Sequence, residues 1–560
     1  MTHNSLDCIV IGYNELPFEQ YESLVSRYGE DSEAYRDLQY SFVNLAGEKL
    51  SYVKLLNHVI KQSHAQAPGR PNASAIQFES GDIPNLAAVY LVNFLRKRGH
   101  RARHVNLFQR EKERLLELLA SDPHCVAITT TFYVLNFPVT DIVRFIKHHR
   151  PAVKVVVGGP LIANHARNNA GAAFESAILD IGADIYVIEG QGEQTLSTIV
   201  DCLKRGGDLA SVPNIAYYDH GQLRRTVALA ENNSLDENYI DWLGFADEQL
   251  GPTIQTRAAR SCAFQCSFCN YPTRAGKLTL TNLDVLEREL DSLRELGDIQ
   301  NLVFIDDTFN VPLARFKDIC RLIARKRYGF NWFSYFRCSN SDLEAIDLMA
   351  ESGCKGVFLG IESGSAAILK NMNKAATPEK YLEGMRLLHE RGILTFASFI
   401  IGFPGEVEST VQETRDFIRQ SHPSYYRAQL WYCEPGTPIE KQGQKYGIEG
   451  EGFRWRHTTM DSLEAMDHID RLFLTIDESI WLPQWSFDFW IIPYLLGRQI
   501  SLNQFKDFMT LANKLLALEI AFVPAAEKRA VQAAYLQELV GKVREWNLTP
   551  ASLDSTRRGR

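Results

Sequence analysis

Residues 260–274 read RSCAFQCSFCNYPTR, and three of the chain's ten cysteines, Cys262, Cys266 and Cys269, fall within eight of those positions. Clustered thiolates bind soft metals. Structural zinc takes four ligands, commonly as two well-separated pairs. No second Cys or His pair lies nearby, the next cysteine being Cys320. A redox dithiol needs only the Cys266–Cys269 spacing. Iron–sulfur cubanes usually take four thiolates. Three would leave one iron with an open position, which is what a catalytic site needs. The loop is too polar to be core text.

Outward from the loop, the chain alternates strand and helix patterns on both sides. Downstream, strand patterns cover TIQTRAA (253–259), NLVFID (301–306), WFSYFRC (332–338), GVFLGIE (356–362), LTFASFIIG (394–402) and YRAQLWY (426–432). Helical text such as LDVLERELDSLRELG and TPEKYLEGMRLLHERG lies between them. Six such units predict a partial (β/α)6 barrel of the TIM type over 251–445, with its chemistry at the carboxyl ends of the strands. The cysteine loop follows the first of these strands.

Upstream, residues 71–225 alternate as well. SAIQF (74–78), RARHVNLF, CVAITTT (125–131), VKVVVGGP (153–160) and ADIYVIEG (183–190) read as strands, separated by amphipathic helices such as IPNLAAVYLVNFLRKRGH (83–100). That order predicts an α/β, doubly wound, Rossmann-like parallel sheet, whose ligand crevice opens beyond the carboxyl ends of its strands. Residues 1–70 read as an N-terminal extension with one strand at 7–13, residues 226–250 as a linker, and residues 446–560 as a helical C-terminal domain. Four tryptophans (Trp455, Trp481, Trp485 and Trp490) fall early in that last part.

Composition is that of an ordinary globular chain: 560 residues, 45% apolar, 23% charged. The net charge is 60 − 68 = −8, which argues against broad nucleic-acid binding. The N-terminus lacks a basic region followed by an apolar run, and SIWLPQWSFDFWIIPYLLG (479–497) is broken by two prolines and an aspartate. No signal peptide and no membrane span are expected. The remaining cysteines are scattered singly, as in a reducing cytoplasm.

CAFQCSFC, a CxxxCxxC with an aromatic before the last cysteine, placed after the first barrel strand, resembles the radical S-adenosylmethionine (SAM) superfamily. The resemblance implies that Cys262, Cys266 and Cys269 hold a [4Fe-4S] cluster and that SAM chelates the fourth iron. One electron then splits SAM into methionine and a 5′-deoxyadenosyl radical, with an external donor of the flavodoxin or ferredoxin type as the implied partner. It implies SAM contacts from Phe268, from Asp306 and Asp307 in FIDDTFN (304–310), from Glu362 and Ser363 in GIESGS (360–365), and from Gly402 and Gly405 in IIGFPGE (400–406). A helix N-cap after a strand explains Asp307 or Thr308 equally well, and IIGFPGE also reads as a plain Gly/Pro turn. Arg337, after the third strand, is a further candidate to face a carboxylate.

The 71–225 series resembles the cobalamin-binding domain that precedes the barrel in one large subgroup. This implies cobalamin contacts from Thr129, Thr130 and Thr131, from Gly158, Gly159 and Pro160, and from Glu189, Gly190 and Gly192. Threonines at a strand end also follow from β-propensity alone. Where another class of cobalamin proteins carries DxHxxG, this chain reads ESGDIPN, without the histidine that would ligate cobalt from below. Residues 1–70, with WYCEPGTPI (431–439) and GFRWRHTTMDSLEA (452–465), resemble the phosphinate P-methyltransferase-like enzymes of natural-product pathways.

The resemblance implies transfer of a methyl group from methylcobalamin to an unactivated carbon or a phosphinate phosphorus of a small or carrier-bound substrate. A non-methylating rearrangement or cyclisation uses the same cofactors. Methylthio transfer would need a second cysteine trio, and only Cys8 lies in the first 124 residues. A non-catalytic sensor would need a DNA-binding or signalling module, for which 446–560 offers no basic recognition helix.

Overall fold

The computed structural model describes residues 5–65, 77–79, 83–131, 133, 135–248, 250–484, 487–521, 523–546 and 548. It divides into two compact units. One comprises residues 1–17, 81–248 and 284–296, the other residues 18–80, 249–283 and 297–560.

The first unit is built on a seven-stranded sheet. Its strands are β1 (Cys8–Tyr13), β2 (Ala102–Leu107), β3 (Cys125–Thr129), β4 (Lys154–Gly158), β5 (Ile185–Val187), β6 (Ile215–Asp219) and β7 (Gln222–Arg225), in the order β2-β1-β3-β4-β5-β6-β7. The first five run parallel. Cys8 to Ile11 and Cys125 to Ile128 are buried on both faces, the continuous apolar signature of a covered parallel strand. Three expectations change here. The strand at 7–13 is a central strand of this sheet and not part of an extension, because its apolar run pairs with residues about a hundred positions on. Gln77, Phe78 and Glu79 carry no strand, and the rest of SAIQF lies outside the described residues, as does Trp485. The sheet is also not wholly parallel: β6 and β7 form an antiparallel edge hairpin, turned at His220 and Gly221, both with positive φ.

The stretch expected as a linker, 226–250, is anchored. Trp242 is fully buried and its indole N–H donates to Glu289 at 3.4 Å. The Glu248 carboxylate lies 2.5 Å from His104 Nδ1 and 2.8 Å from Arg96. Burial would raise the Glu248 carboxyl, but the His104 and Arg96 contacts outweigh it and hold it down at about 2.

The second unit contains a sheet of β8 (Thr253–Thr256), β9 (Asn301–Phe304), β10 (Asn331–Phe336), β11 (Cys354–Glu362), β12 (Leu394–Ile401), β13 (Tyr425–Leu430) and β14 (Ile480–Trp481) in sequential order, all parallel. The six predicted strands are all present, and the short β14 extends the sheet at β13. Period-two alternation sorts the two faces. Tyr426 points outward, its hydroxyl donating to Leu472 O of the helix Ser462–Thr475. Tyr425 and Arg427 therefore face inward, in one lattice with Tyr335, Phe358, Phe396 and Ser398.

Residues 18–80 belong with this unit. The helix Tyr52–Ala65 packs on the helix Ala525–Glu545, and Asp37 pairs with Arg427 at 3.0 Å. The C-terminal region is not helical throughout: Glu449–Glu451, Arg454–His457 and Met460–Asp461 form a small antiparallel sheet. Trp455 and His457 are buried while Arg454 and Arg456 are exposed, a strand alternation rather than a helical one. Among the described residues no helix is long and apolar enough to cross a membrane.

Candidate active site

The cysteine loop leaves the barrel just after β8. Its conformation is set by several anchors. Ser261 adopts φ +74 and its hydroxyl donates to Gly276 O at 2.6 Å. The Ser267 amide and hydroxyl donate to Met372 O and Asn371 O, Asn373 Nδ2 donates to Gln265 O, and the Ile439 amide donates to Ser267 O. A polar loop is thus tied to two other segments of the barrel, which fixes where its thiols stand.

All three cysteines are free thiols, within electrostatic range of one another. Among the described residues no three His, Cys, Asp or Glu side chains are grouped as ligands of a metal ion. Cys262 Sγ lies 3.4 Å from Thr308 Oγ1, and Cys269 Sγ accepts the Tyr271 N–H at 3.4 Å. Burial raises the Cys266 and Cys269 thiols, while Lys374 and Arg337 pull Cys266 down and the Tyr271 amide pulls Cys269 down.

Two cations therefore stand beside the loop. Lys374 pairs with Glu362 at 2.9 Å and lies over the Phe268 ring. Arg337 stacks on Phe264, 3.7 Å from the ring centroid, and its buried Nη2 has no hydrogen-bond partner. An anionic group bound at the loop fits this set: three thiols placed beside an orphaned guanidinium N–H and an ammonium.

The predicted SAM contacts divide by geometry. Asp306 is buried and both its oxygens face the Ala258 N–H, at 2.9 and 3.0 Å. Burial pushes its carboxyl up to about 7 against that hydrogen bond. Asp307 keeps solvent access, although enough protein surrounds it to push it up to about 6 while the Tyr271 hydroxyl donates to it. Of the pair, Asp307 is the carboxylate open to a ligand.

Glu362 ends β11 in the left-handed region, φ +69, an uncommon conformation for a side-chain-bearing residue, with its carboxylate on Lys374. The Ser363 hydroxyl is spent on the Thr414 hydroxyl of the helix Glu408–Ser421 and on the Ser365 amide of its own turn. Gly402 and Gly405 both have positive φ. A Cβ on Gly402 would meet Trp455 at 2.4 Å, and one on Gly405 would meet Asn371 at 2.5 Å. Protein packing alone thus requires both glycines. Phe403 brings that turn to Phe268, their rings 6.4 Å apart. Glu406 in the same turn accepts the Gly402 N–H at 2.5 Å, and burial pushes its carboxyl up to about 8. Sequence reasoning missed Lys374 and Glu406. Lys374 reaches Glu362 across a turn with positive φ at Asn373 and Ala375, which no spacing rule flags.

In the first unit the predicted cobalamin residues gather at the carboxyl ends of β3, β4 and β5. Thr130 donates to Gly158 O at 2.9 Å and accepts the Leu161 N–H, so its hydroxyl pins one loop to the next. Thr129 and Thr131 pair with each other at 3.0 Å, with Thr131 exposed. A Cβ on Gly159 (φ +106) would meet Thr130 at 2.9 Å, one on Gly158 would meet Val187 at 3.0 Å, and one on Gly192 (φ +68) would meet Val187 at 2.9 Å. Pro160 opens the helix Pro160–Asn168. Glu189 and Gly190 follow β5, and burial together with Glu231 raises the Glu189 carboxyl.

The strand order reverses between β1 and β3, so the crevice rule adds residues the sequence did not suggest. The Asn14 amide donates to the Tyr133 hydroxyl at 2.5 Å, and Leu135 and Phe137 stand nearly half exposed after β3. Exposed apolar side chains beside strand-end hydroxyls fit the flat apolar face and polar fringe of a corrin.

Comparison with known proteins agrees with this geometry. Residues 257–418 match the radical SAM superfamily and residues 80–200 match the B12 binding domain. An uncharacterized methyltransferase of Pyrococcus horikoshii is 27% identical over 62% of this chain and 75% of its own length. The anaerobic magnesium-protoporphyrin IX monomethyl ester cyclase of Rubrivivax gelatinosus is 25% identical over 51% of this chain and 53% of its own length. The chain thus spans three quarters of the first relative and about half of the second. The radical SAM methyltransferase TsrM of Kitasatospora setae, solved with cobalamin and a [4Fe-4S] cluster, shares the fold: TM-score 0.57, 18% identity, 83% of this chain and 96% of that one. The thiol loop, the strand-end crevice and both domain matches converge on one assignment, and the chain belongs to the cobalamin-dependent radical SAM enzymes.

Proposed function

We propose that the enzyme transfers a methyl group to an unactivated carbon or a phosphinate phosphorus of a natural-product intermediate. The observation that carries this reading is the free three-thiol loop flanked by Arg337 and Lys374, in a chain that also holds the B12-binding sheet. When bound, the cluster and SAM supply a carbon-centred radical and cobalamin supplies the methyl group; cofactors carry the hard chemistry. The chain's residues do the positioning. Cys262, Cys266 and Cys269 hold the cluster, and Arg337 offers its free N–H to a carboxylate. Asp307 faces an ammonium, and the glycine turn at 402–405 lets Phe403 back Phe268. In the first unit Thr131, Leu135 and Phe137 line the crevice for the corrin.

The test is anaerobic reconstitution with methyl-labelled SAM, cobalamin and a low-potential reductant. Label entering cobalamin with release of S-adenosylhomocysteine, and then entering an acceptor, is the expected outcome. Production of 5′-deoxyadenosine with neither S-adenosylhomocysteine nor label transfer would instead select a non-methylating ring closure, the reading favoured by the cyclase relative.

A further inference from the structure

The inner face of the barrel carries a polar group that the cofactor contacts leave unused. Arg427 on β13 is 3% exposed. One nitrogen, Nη2, pairs with Asp37 at 3.0 Å. The other two, Nε and Nη1, are buried without any partner. A buried guanidinium with idle donors carries an uncompensated desolvation cost, which a ligand's oxygen atoms would remove.

Asp488, from the segment after β14, lies within electrostatic range of Arg427. One Asp488 oxygen accepts the Trp490 N–H at 3.0 Å, and the Trp490 indole donates to the Tyr335 hydroxyl on β10 at 3.1 Å. Asp488 feels the charge of Arg427 and is felt by Tyr335. The Trp490 indole thus ties this segment to β10, and the segment sets the Asp488 carboxylate within electrostatic range of Arg427 on β13. Tyr335, Phe358, Gln429, Asp488 and Trp490 all keep partial solvent access, while the outward-facing Val357, Leu359, Tyr426 and Ala428 are fully buried. A filled barrel would bury its inward residues. This one is filled around Phe396, Tyr425 and Phe489 but leaves accessible inner surface beside the stacked, tilted and edge-on rings of Tyr335, Phe358 and Trp490.

The charge balance decides what suits this surface. One cation, Arg427, stands with two carboxylates, Asp37 and Asp488. A simple anion would gain at Arg427 and lose to both acids. A cation would leave the two idle Arg427 donors unpaired. A zwitterion meets an opposite partner at each end. We propose that Arg427 and Asp488 seat the zwitterionic α-amino-acid end of the substrate, carboxylate toward Arg427 and ammonium toward Asp488, with an apolar body against the ring wall. This rests on the reading of the barrel as the site of a small-molecule acceptor and names its class.

Equilibrium binding tests it independently of turnover. The reconstituted full-length protein is titrated calorimetrically with L-phenylalanine, N-acetyl-L-phenylalanine and L-phenylalaninamide. The free amino acid is expected to bind at least tenfold more tightly than either blocked form. Asp488→Asn should abolish the preference over the N-acetyl form only, and Arg427→Gln the preference over the amide only, with melting curves checking that each variant folds. Should Arg427→Gln not fold, Asp488→Asn and the blocked ligands still decide. Equal binding of the three ligands, tighter binding of a blocked form, no binding, or unselective loss in Asp488→Asn would overturn the proposal. None of those outcomes touches label transfer from SAM, so methyl transfer stands or falls by its own measurement.

Discussion

Both carboxylate oxygens of Asp306 face the backbone N–H of Ala258, which fastens the end of β9 to the residue that leads into the cysteine loop. The neighbouring Asp307 is left open. Two adjacent aspartates of the same sequence motif thus stand in different settings, one holding the loop's base and the other open to solvent.

The consequence is measurable. Asp306→Asn keeps an acceptor for Ala258 and should cost under about 1 kcal/mol, whereas Asp306→Ala orphans a buried N–H and should cost about 1–3 kcal/mol. Asp307→Ala should leave stability unchanged and weaken SAM binding about tenfold, the scale of one hydrogen bond to a charged group. Calorimetric SAM titration and thermal melts separate the cases. Equal SAM affinity in Asp307→Ala and wild type would remove Asp307 from the site.

Alanine at Cys262, Cys266 or Cys269 should abolish 5′-deoxyadenosine formation and lower iron content, while cobalamin binding, read from its visible absorption, stays intact. A Cys266→Ala protein that still cleaves SAM would refute the assignment of this loop.

Glu248 gives the first unit a definite acid limit. Its folded-state carboxyl sits at about 2, below the ordinary 4.5. A lowered carboxylate contributes stability that is fully present above the unfolded value and is lost as pH falls through the folded one. The loss should therefore run from about pH 4.5 to 2 and amount to about 3 kcal/mol. Glu248→Gln should show a lower melting temperature at pH 7, and the difference from wild type should shrink across that window.

Gly402→Ala should destabilise the barrel unit by about 3 kcal/mol, combining a positive φ with a clash against Trp455. Trp455→Phe in the same chain should recover part of the loss, because neighbouring substitutions are not additive. Thermal melts of the single and double variants measure this. Strict additivity would mean that the glycine answers to its backbone alone.

Much of this architecture was legible in the sequence. Each barrel strand is an apolar run bounded by helical text, and the cysteine spacing singled out the loop. What stayed hidden was tertiary. Nothing local in DCIVIGY says that it lies between strands starting at Ala102 and Cys125. The β6–β7 hairpin turns on Asp219-His220-Gly221-Gln222, which reads as loop because the positive φ falls partly on a histidine. Arg454–His457 has a strand's alternation, but too short to outweigh its helical surroundings. Lys374 reached the cysteine loop only through the fold of the turn after the helix Ala366–Asn371.

The division of residues 1–80 between two units has a consequence for how the protein is made. Asp37 and Arg427 stand 390 positions apart. At about 5–20 residues per second, roughly 20–80 s of synthesis separate them. Through that interval the nascent segment 18–80 has no complete barrel to join, and its amphipathic helix Tyr52–Ala65 must wait longer still for the helix Ala525–Glu545. The barrel unit therefore closes on its earliest residues only after β13 and the helix Ala525–Glu545 have been made, and a ribosome stalled before β13 would leave the early segment without those partners.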